Sequence, residues 1–113
     1  MHEYSIVSAV LHQVERHAAE HGAIAVHKLR VQIGELAGVD PALLQTAWEL
    51  FRERSLCATA ALSIESVAAV WRCPKCGVEL AHDVPLRCTA CQLPARLSAG
   101  GEIMLSSIEL EVA

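Results

Sequence analysis

The stretch that decides the fold is residues 73–91, CPKCGVELAHDVPLRCTAC, in which two CxxC pairs are separated by eleven residues. Each pair can form a tight turn that directs two thiolates to one point, and two such turns complete a tetrahedron around Zn(II). The predicted ligands are Cys73, Cys76, Cys88 and Cys91. Four thiolates leave no open coordination position, so the spacing predicts a structural site rather than a catalytic one.

Two other uses of this cysteine pattern stay open on the sequence alone. The pairs could close disulfides, or they could hold iron as in rubredoxin-like electron carriers. The chain opens Met-His-Glu-Tyr, without the basic and apolar segments of a secretory signal, so we expect the reducing cytoplasm, where CxxC pairs bind metal more often than they form disulfides. The chain has two Trp, one Tyr and one Phe, which is little aromatic shielding for an iron centre. Zinc is therefore the favoured prediction.

The bulk composition indicates a packed globular protein and argues against several function classes. Of the 113 residues, 53% are hydrophobic and 19% are charged, so an aliphatic core can form. The net charge of -4 is unfavourable for a nucleic-acid binder, which needs a basic face. No apolar stretch is long enough to cross a bilayer. There is no phosphate-binding Gly-rich loop and no nucleophile–base set, so we expect no enzymatic activity.

Helical periodicity appears twice before the cysteines. Apolar residues recur at helical spacing from about Tyr4 to His21, and Gly22 is predicted to end that helix. Asp40-Pro41 predicts the start of a second helix, because Asp can cap free N–H groups and Pro suits the first helical position. The predicted apolar stripe of this second helix consists of Leu43, Leu44, Ala47, Trp48 and Phe51.

Alternating apolar residues predict three strands. The first runs from Leu29 to Ile33, the second covers about 62–67, and the last covers 103–112. The alternation of the last strand slips near Ser106-Ser107, which predicts a β-bulge there. The predicted fold class is α+β, with two helices packed on a three-stranded sheet and an inserted zinc-ribbon-like module. Residues 1–69 plus 100–113 form the predicted α/β domain, and residues 70–99 form the predicted zinc-binding domain.

The N-terminus, Met1-His2-Glu3, is a second candidate metal site. A histidine at position two can offer its imidazole, its backbone amide nitrogen and the α-amino group of Met1 to one ion, and the amide of Glu3 can add a fourth nitrogen. Planar nitrogen ligation suits Ni(II) or Cu(II) better than zinc. From composition alone, a solvated terminal histidine is the plainer interpretation.

Several other residues also have plain interpretations. Cys57 is predicted to be a small buried apolar side chain, and His82 a solvated loop histidine. His17 and His21, four residues apart, could chelate a metal, but an exposed helix end is the favoured interpretation. Asp40 is predicted first as a helix cap, and a second role near a bound metal stays open.

The whole chain resembles the HypA/HybF family of nickel metallochaperones. The segments that carry the resemblance are Met1-His2-Glu3-Tyr4-Ser5-Ile6, Val31-Gln32-Ile33-Gly34-Glu35-Leu36, Val39-Asp40-Pro41, Trp48-Glu49-Leu50-Phe51, Leu62-Ser63-Ile64-Glu65, the two CxxC pairs and Gly101-Glu102-Ile103. The chain departs from the family at 55–59, SLCAT, where a Gly-Thr is common, and we expect a local change of turn there.

The resemblance implies a function that the residues alone do not give. It implies delivery of nickel for maturation of [NiFe] hydrogenase, with a HypB-type GTPase and the hydrogenase large subunit or its maturation complex as partners. It implies nickel ligation by His2, the Met1 amine and the backbone nitrogens of His2 and Glu3, and it associates Glu3 with nickel binding and partner contact. Neither a nucleic acid nor a membrane is an expected partner, and a homodimer is left open.

The alternative hypothesis is a zinc-ribbon adaptor that recruits a protein or nucleic acid and has no role with nickel. The two hypotheses share the four cysteines and differ at Met1 and His2.

Overall fold

The structure, a computed structural model, describes residues 2–80 and 86–113, so Met1 and His82 lie outside the described residues. Within the described residues, two α-helices and six strands follow one another, with a 3₁₀ turn (Arg52–Arg54) after the second helix. The elements are α1 (His2–Glu20), β1 (Ala23–Gly34), α2 (Pro41–Phe51), β2 (Ala61–Val67), β3 (Val70–Arg72), β4 (Glu79–Leu80), β5 (Arg96–Ala99) and β6 (Ile103–Val112).

Helix α1 begins two residues earlier than predicted and ends within one residue of the predicted end. The buried residues Val7, Val10, Val14 and Ala18 follow helical spacing and form its inner face. Gly22, with φ 64°, follows the helix in the left-handed conformation that glycine adopts without steric cost.

Helix α2 begins as predicted, with Asp40 as its N-cap and Pro41 as its first residue. The Asp40 carboxylate accepts hydrogen bonds from the backbone N–H of Ala42 at 2.9 Å and of Leu43 at 3.3 Å. The predicted apolar stripe is wrong at two positions, because Leu43 and Phe51 are 54% and 48% exposed. Only the narrower set Leu44, Ala47 and Trp48 is buried. α2 also contacts α1.

The main sheet has the strand order β2-β1-β6, so the longest strands, β1 and β6, are neighbours. β1 begins six residues before the predicted strand. Its exposure pattern explains the difference, since His27 and Lys28 are both exposed between the buried Val26 and Leu29. Because these two exposed residues interrupt the alternation of apolar and polar residues, the alternation predicts only the second half of β1.

Strand β6 shows the slip that the sequence indicated. Ser106 and Ser107 are both exposed, whereas Leu105 and Ile108 on either side are half-buried. The Ser106 hydroxyl donates to the carbonyl oxygen of Arg30 on β1 at 3.1 Å. The change of phase is confirmed, and the bulge itself stays a prediction.

Trp48 anchors the segment that links α2 to β2. Its side chain is fully buried, and its Nε1–H donates to the carbonyl oxygen of Ala60 at 3.0 Å. The guanidinium of Arg52 donates to the same oxygen at 2.6 Å. The link itself turns through 55–60, where Ala60 N donates to Cys57 O at 2.9 Å. Cys57 is fully buried, as predicted.

The chain divides into two compact units. The first unit contains residues 1–32, 38–65 and 104–113, and the second contains 33–37 and 66–103. In the second unit the segment 33–37 is held by backbone hydrogen bonds, from Glu35 N to Val67 O and from Leu36 N to Gly100 O, both at 2.8 Å. The Glu35 carboxylate also accepts from Ala69 N at 2.7 Å. The second unit therefore includes more of the chain than the cysteine-bearing insertion alone.

The second unit has its own small sheet with the order β4-β3-β5. β3 pairs antiparallel with both neighbours, and Trp71 lies opposite Leu80 on one side and Leu97 on the other. The predicted fold class is confirmed, because two helices and a three-stranded sheet carry an inserted module that holds the four cysteines.

Candidate metal centres

The four predicted thiol ligands lie together in the second unit. The Sγ atoms of Cys73, Cys76, Cys88 and Cys91 are all within 4.8 Å of one another. The Sγ atoms of Cys76 and Cys88 are 3.7 Å apart. A tetrahedron with Zn–S bonds of about 2.3 Å has sulfur–sulfur edges of about 3.8 Å. The cluster therefore has the dimensions of a zinc site with four thiolate ligands.

The two CxxC turns have the same hydrogen-bond pattern. Gly77 N donates to Cys73 O at 3.0 Å, and Gln92 N donates to Cys88 O at 2.9 Å. On the other side, Cys73 N donates to Val78 O at 3.0 Å, and Cys88 N donates to Leu93 O at 2.9 Å. Each half of the site is thus a copy of the other, which is how two short loops direct four thiols at a common centre.

The residue four positions after the first cysteine of each pair has a positive φ. It is Gly77, with φ 78°, in the first turn and Gln92, with φ 57°, in the second. Glycine adopts this conformation readily, so Gly77 suits the first turn. The strained position of Gln92 was missed, and the equal spacing from Cys73 to Gly77 and from Cys88 to Gln92 is the signal that could have found it.

The thiols differ widely in acidity although they share one cluster. The backbone N–H of Cys76 lowers the pKa of the Cys73 thiol to about 6, against the opposing effect of burial, with help from the N–H of Lys75. Burial, and then hydrogen bonds with the thiols of Cys73, Cys76 and Cys88, raise the pKa of Cys91 to about 12. Four thiolates so close together would repel one another unless a cation binds among them. A divalent metal that prefers sulfur ligands meets this need.

The fifth cysteine takes no part in this cluster. Cys57 lies in the first unit, and burial raises the pKa of its thiol, with the Ser55 hydroxyl acting in the opposite direction. All five cysteines are free thiols. The structure therefore contains no disulfide bond among the described cysteines.

The second candidate site lies at the beginning of α1, in the first unit. His2 is the first residue of the helix, and the half-buried Glu3 reaches the start of α2. The Glu3 carboxylate accepts a hydrogen bond from Asp40 N at 3.2 Å, while the Asp40 carboxylate caps α2. The ring centroids of Tyr4 and Phe51 are 5.2 Å apart in an edge-to-face contact. The first turn of α1 is thus fixed against α2 by a polar and an aromatic contact.

The fold and the cysteine cluster define a small α+β metal-binding protein. Among the described residues, no helix combines the length and hydropathy that a membrane crossing needs. Residues 1–110 match the family described as "HypA: Hydrogenase/urease nickel incorporation, metallochaperone, hypA". The chain belongs to the HypA family, whose members are nickel metallochaperones for hydrogenase maturation.

Individual relatives cover the same length. The hydrogenase maturation factor HypA of Wolinella succinogenes is 42% identical, over 98% of this chain and 96% of its own. That of Shewanella halifaxensis is 38% identical over all of both chains.

Solved structures agree with the sequence comparison. The solution structure of the Ni metallochaperone HypA from Helicobacter pylori is 32% identical, covers 98% of both chains and has a TM-score of 0.77. A second solution structure, of a HypA protein, is 31% identical, covers 100% of this chain and 98% of its own, and has a TM-score of 0.82. The resemblance noted in the sequence is confirmed, and four neighbouring cysteines able to bind structural zinc fit it.

Proposed function

We propose that this chain binds Ni(II) at its N-terminus and delivers it in the cytoplasm for maturation of [NiFe] hydrogenase. The proposed nickel donors are the Met1 amine, the His2 imidazole and the backbone nitrogens of His2 and Glu3. The proposed zinc ligands are the four clustered cysteines. Because zinc is structural and nickel is cargo, the chain acts as a carrier and not as an enzyme.

The observation that carries the nickel proposal is the position of α1. The helix begins at His2, and Glu3 accepts a hydrogen bond from Asp40 N. The i→i−4 hydrogen-bond ladder of an α-helix begins only after its first four residues. Backbone nitrogens of His2 and Glu3 can therefore bind nickel while the ladder of α1 stays in place. The contact with Asp40 supports the idea that Glu3 orients this turn.

The closed geometry of the cysteine cluster supports a division of roles. Four thiols that match a zinc tetrahedron leave no position where cargo could enter and leave. We therefore assign nickel to the domain of residues 1–69 plus 100–113, and zinc to the domain of residues 70–99. Iron at the four cysteines is the alternative, and a colourless protein that contains zinc would exclude it.

The proposed partners follow from family membership. They are a HypB-type GTPase and the hydrogenase large subunit or its maturation complex.

Calorimetric titration of the zinc-loaded, untagged chain with Ni(II) tests the nickel site. We expect the tightest nickel site to disappear in His2→Ala and in a chain with a short N-terminal extension, because each removes donors from one chelate. His12→Ala is the matched control, since His12 is an exposed histidine of the same helix. Affinity should rise with pH because the amide nitrogens must lose protons.

The rival hypothesis, a zinc-ribbon adaptor without a nickel role, makes the opposite prediction. If His2→Ala and the extended chain bind Ni(II) as tightly as the untagged chain, the N-terminal site is wrong.

A further inference from the structure

A cavity in the first unit joins the end of α1 to β6. Its volume is about 320 Å³, and it is lined by His17 and His21, by the hydroxyl residues Ser106 and Ser107, and by three aliphatic residues of β6. It shares no residue with the N-terminal donors or with the cysteine cluster. The two imidazoles are the chemically distinctive groups in it.

The imidazole of His21 has a fixed orientation. Its Nδ1 lies 2.9 Å from the carbonyl oxygen of His17. A carbonyl oxygen can only accept, so Nδ1 carries the hydrogen, and in the neutral tautomer of this ring Nε2 carries the lone pair. Histidines that bind metals are commonly held in this way, with the other ring nitrogen donating to a carbonyl or carboxylate.

His17 lies one turn earlier and has a carboxylate nearby, at a distance too long for a hydrogen bond. Its Nδ1 lies 3.9 Å from a carboxylate oxygen of Glu20, and its side chain is 42% exposed. His21 follows the last residue of α1, but its backbone N–H donates to His17 O at 3.2 Å, so the last helical turn carries both histidines on one face. The same i,i+4 spacing of two histidines forms the zinc pair of the HExxH motif, so the spacing is geometrically sufficient for bidentate chelation.

The surroundings favour a cation over an anion. The cavity lies at the C-terminal end of α1, where the helix dipole places partial negative charge. The Glu20 carboxylate adds a negative charge beside His17. No Lys or Arg is among the described residues that line the cavity.

We propose that His17 and His21 form a second site for a divalent first-row transition metal, bound through both Nε2 atoms and completed by water or the neighbouring serine hydroxyls. Two neutral imidazoles suit Ni(II), Cu(II) and Zn(II). With two protein nitrogens, this site is weaker than a four-nitrogen chelate. It stands independently of the proposed nickel delivery.

The test uses the zinc-loaded full chain carrying both His2→Ala and an N-terminal extension, so that the N-terminal donors are disabled. Ni(II) is added while the ring-proton resonances of all histidines are followed by NMR. We expect paramagnetic broadening of His17 and His21 first, with His12 and His27 unaffected at the same nickel concentration. Circular dichroism checks that α1 stays folded in each variant.

Substitutions then identify the ligands. Loss of a partner that merely supports a ligand costs about 10- to 100-fold in metal affinity, so His17→Gln and His21→Gln should each weaken nickel binding at least tenfold. His12→Gln and His27→Gln should leave it unchanged. Equal broadening of all histidines, or unchanged affinity in both ligand variants, would overturn the proposal without touching the N-terminal site.

Discussion

The two units of this chain bury very different side chains. The first unit contains most of the buried hydrophobic residues, from α1, β1 and α2, with Trp48 as the largest. The described part of the second unit buries four, namely Ile33, Ala69, Cys73 and Cys88. Half of that small set consists of proposed zinc ligands. The comparison indicates that apolar burial folds the first unit, whereas metal binding must supply much of the folding energy of the second.

Removing zinc should have the largest effect on folding, and it should unfold the second unit only. Structural zinc contributes on the order of 10–16 kcal/mol to the folding of small zinc modules. A strong chelator, or Cys73→Ser, should therefore collapse the amide resonances of the second unit in an NMR spectrum while the resonances of α1 and α2 persist.

The matched control is a cysteine of the other unit. Cys57→Ala should leave the zinc content at one per chain, because Cys57 is buried in the first unit. If zinc removal unfolds both units equally, the proposed independence of their folding is wrong.

Trp48→Ala should have the next largest effect, in the opposite unit. The change removes a fully buried indole and its hydrogen bond to Ala60 O. Such substitutions cost about 3–5 kcal/mol. Urea denaturation followed by the α-helical circular dichroism signal should show this loss of stability, while zinc stays bound. If zinc were released at the same urea concentration at which the helices unfold, the two units would unfold as one cooperative fold, contrary to the prediction.

Zinc affinity should depend on pH, and the slope should change where the Cys73 thiol titrates. Zinc displaces protons, so affinity rises with pH wherever the free site still holds them. Cys91, with its pKa of about 12, releases a proton throughout the neutral range. Cys73, with its pKa of about 6, releases a further proton only below that value. Competition with a chromophoric chelator should therefore show a slope of log affinity against pH that steepens by about one as pH falls through 6. A constant slope across that value would contradict the assignment.

Asp40→Ala should have the smallest effect. The substitution removes the cap of α2, which accepts from the N–H groups of Ala42 and Leu43. Loss of an N-cap costs about 0.5–2 kcal/mol. The thermal unfolding midpoint of the first unit should fall accordingly. Asp40→Asn, which can still cap the helix, should retain most of the stability that Asp40→Ala loses. Equal destabilisation by both variants would mean that the charge of Asp40, and not its hydrogen bonds, matters.

Much of the first unit was predictable because its signals are local. Gly22 and Asp40-Pro41 carry the chemistry that ends α1 and starts α2. The stripe of α2 was predicted too wide, since hydrophobicity does not reveal that Phe51 lies edge-on to Tyr4 near the surface. The contact of Glu3 with Asp40 joins residues 37 positions apart and has no local signal.

Strands were harder because their phase changes. The exposed pair His27-Lys28 interrupts β1, so alternation detected only the part from Leu29 onward. The short strands β3, β4 and β5 have two to four residues, too few for a period to appear.

The cysteine cluster and the cavity beside His17 and His21 were unequally visible in the sequence. The CxxC spacing predicted the thiol cluster because each pair folds locally, but nothing in the residue type marked Gln92 for a positive φ. The cavity beside His17 and His21 depends on β6, which lies far along the chain from α1, so only the fold could reveal it.

The central claim is that cargo and structural metal occupy different donors in different units. X-ray absorption at the nickel and zinc edges of the chain loaded with one equivalent of each metal tests it most directly. We expect nitrogen and oxygen donors around nickel with no sulfur, and four sulfurs around zinc at about 2.3 Å. Sulfur in the nickel shell, or loss of sulfur from the zinc shell when nickel is added, would contradict it.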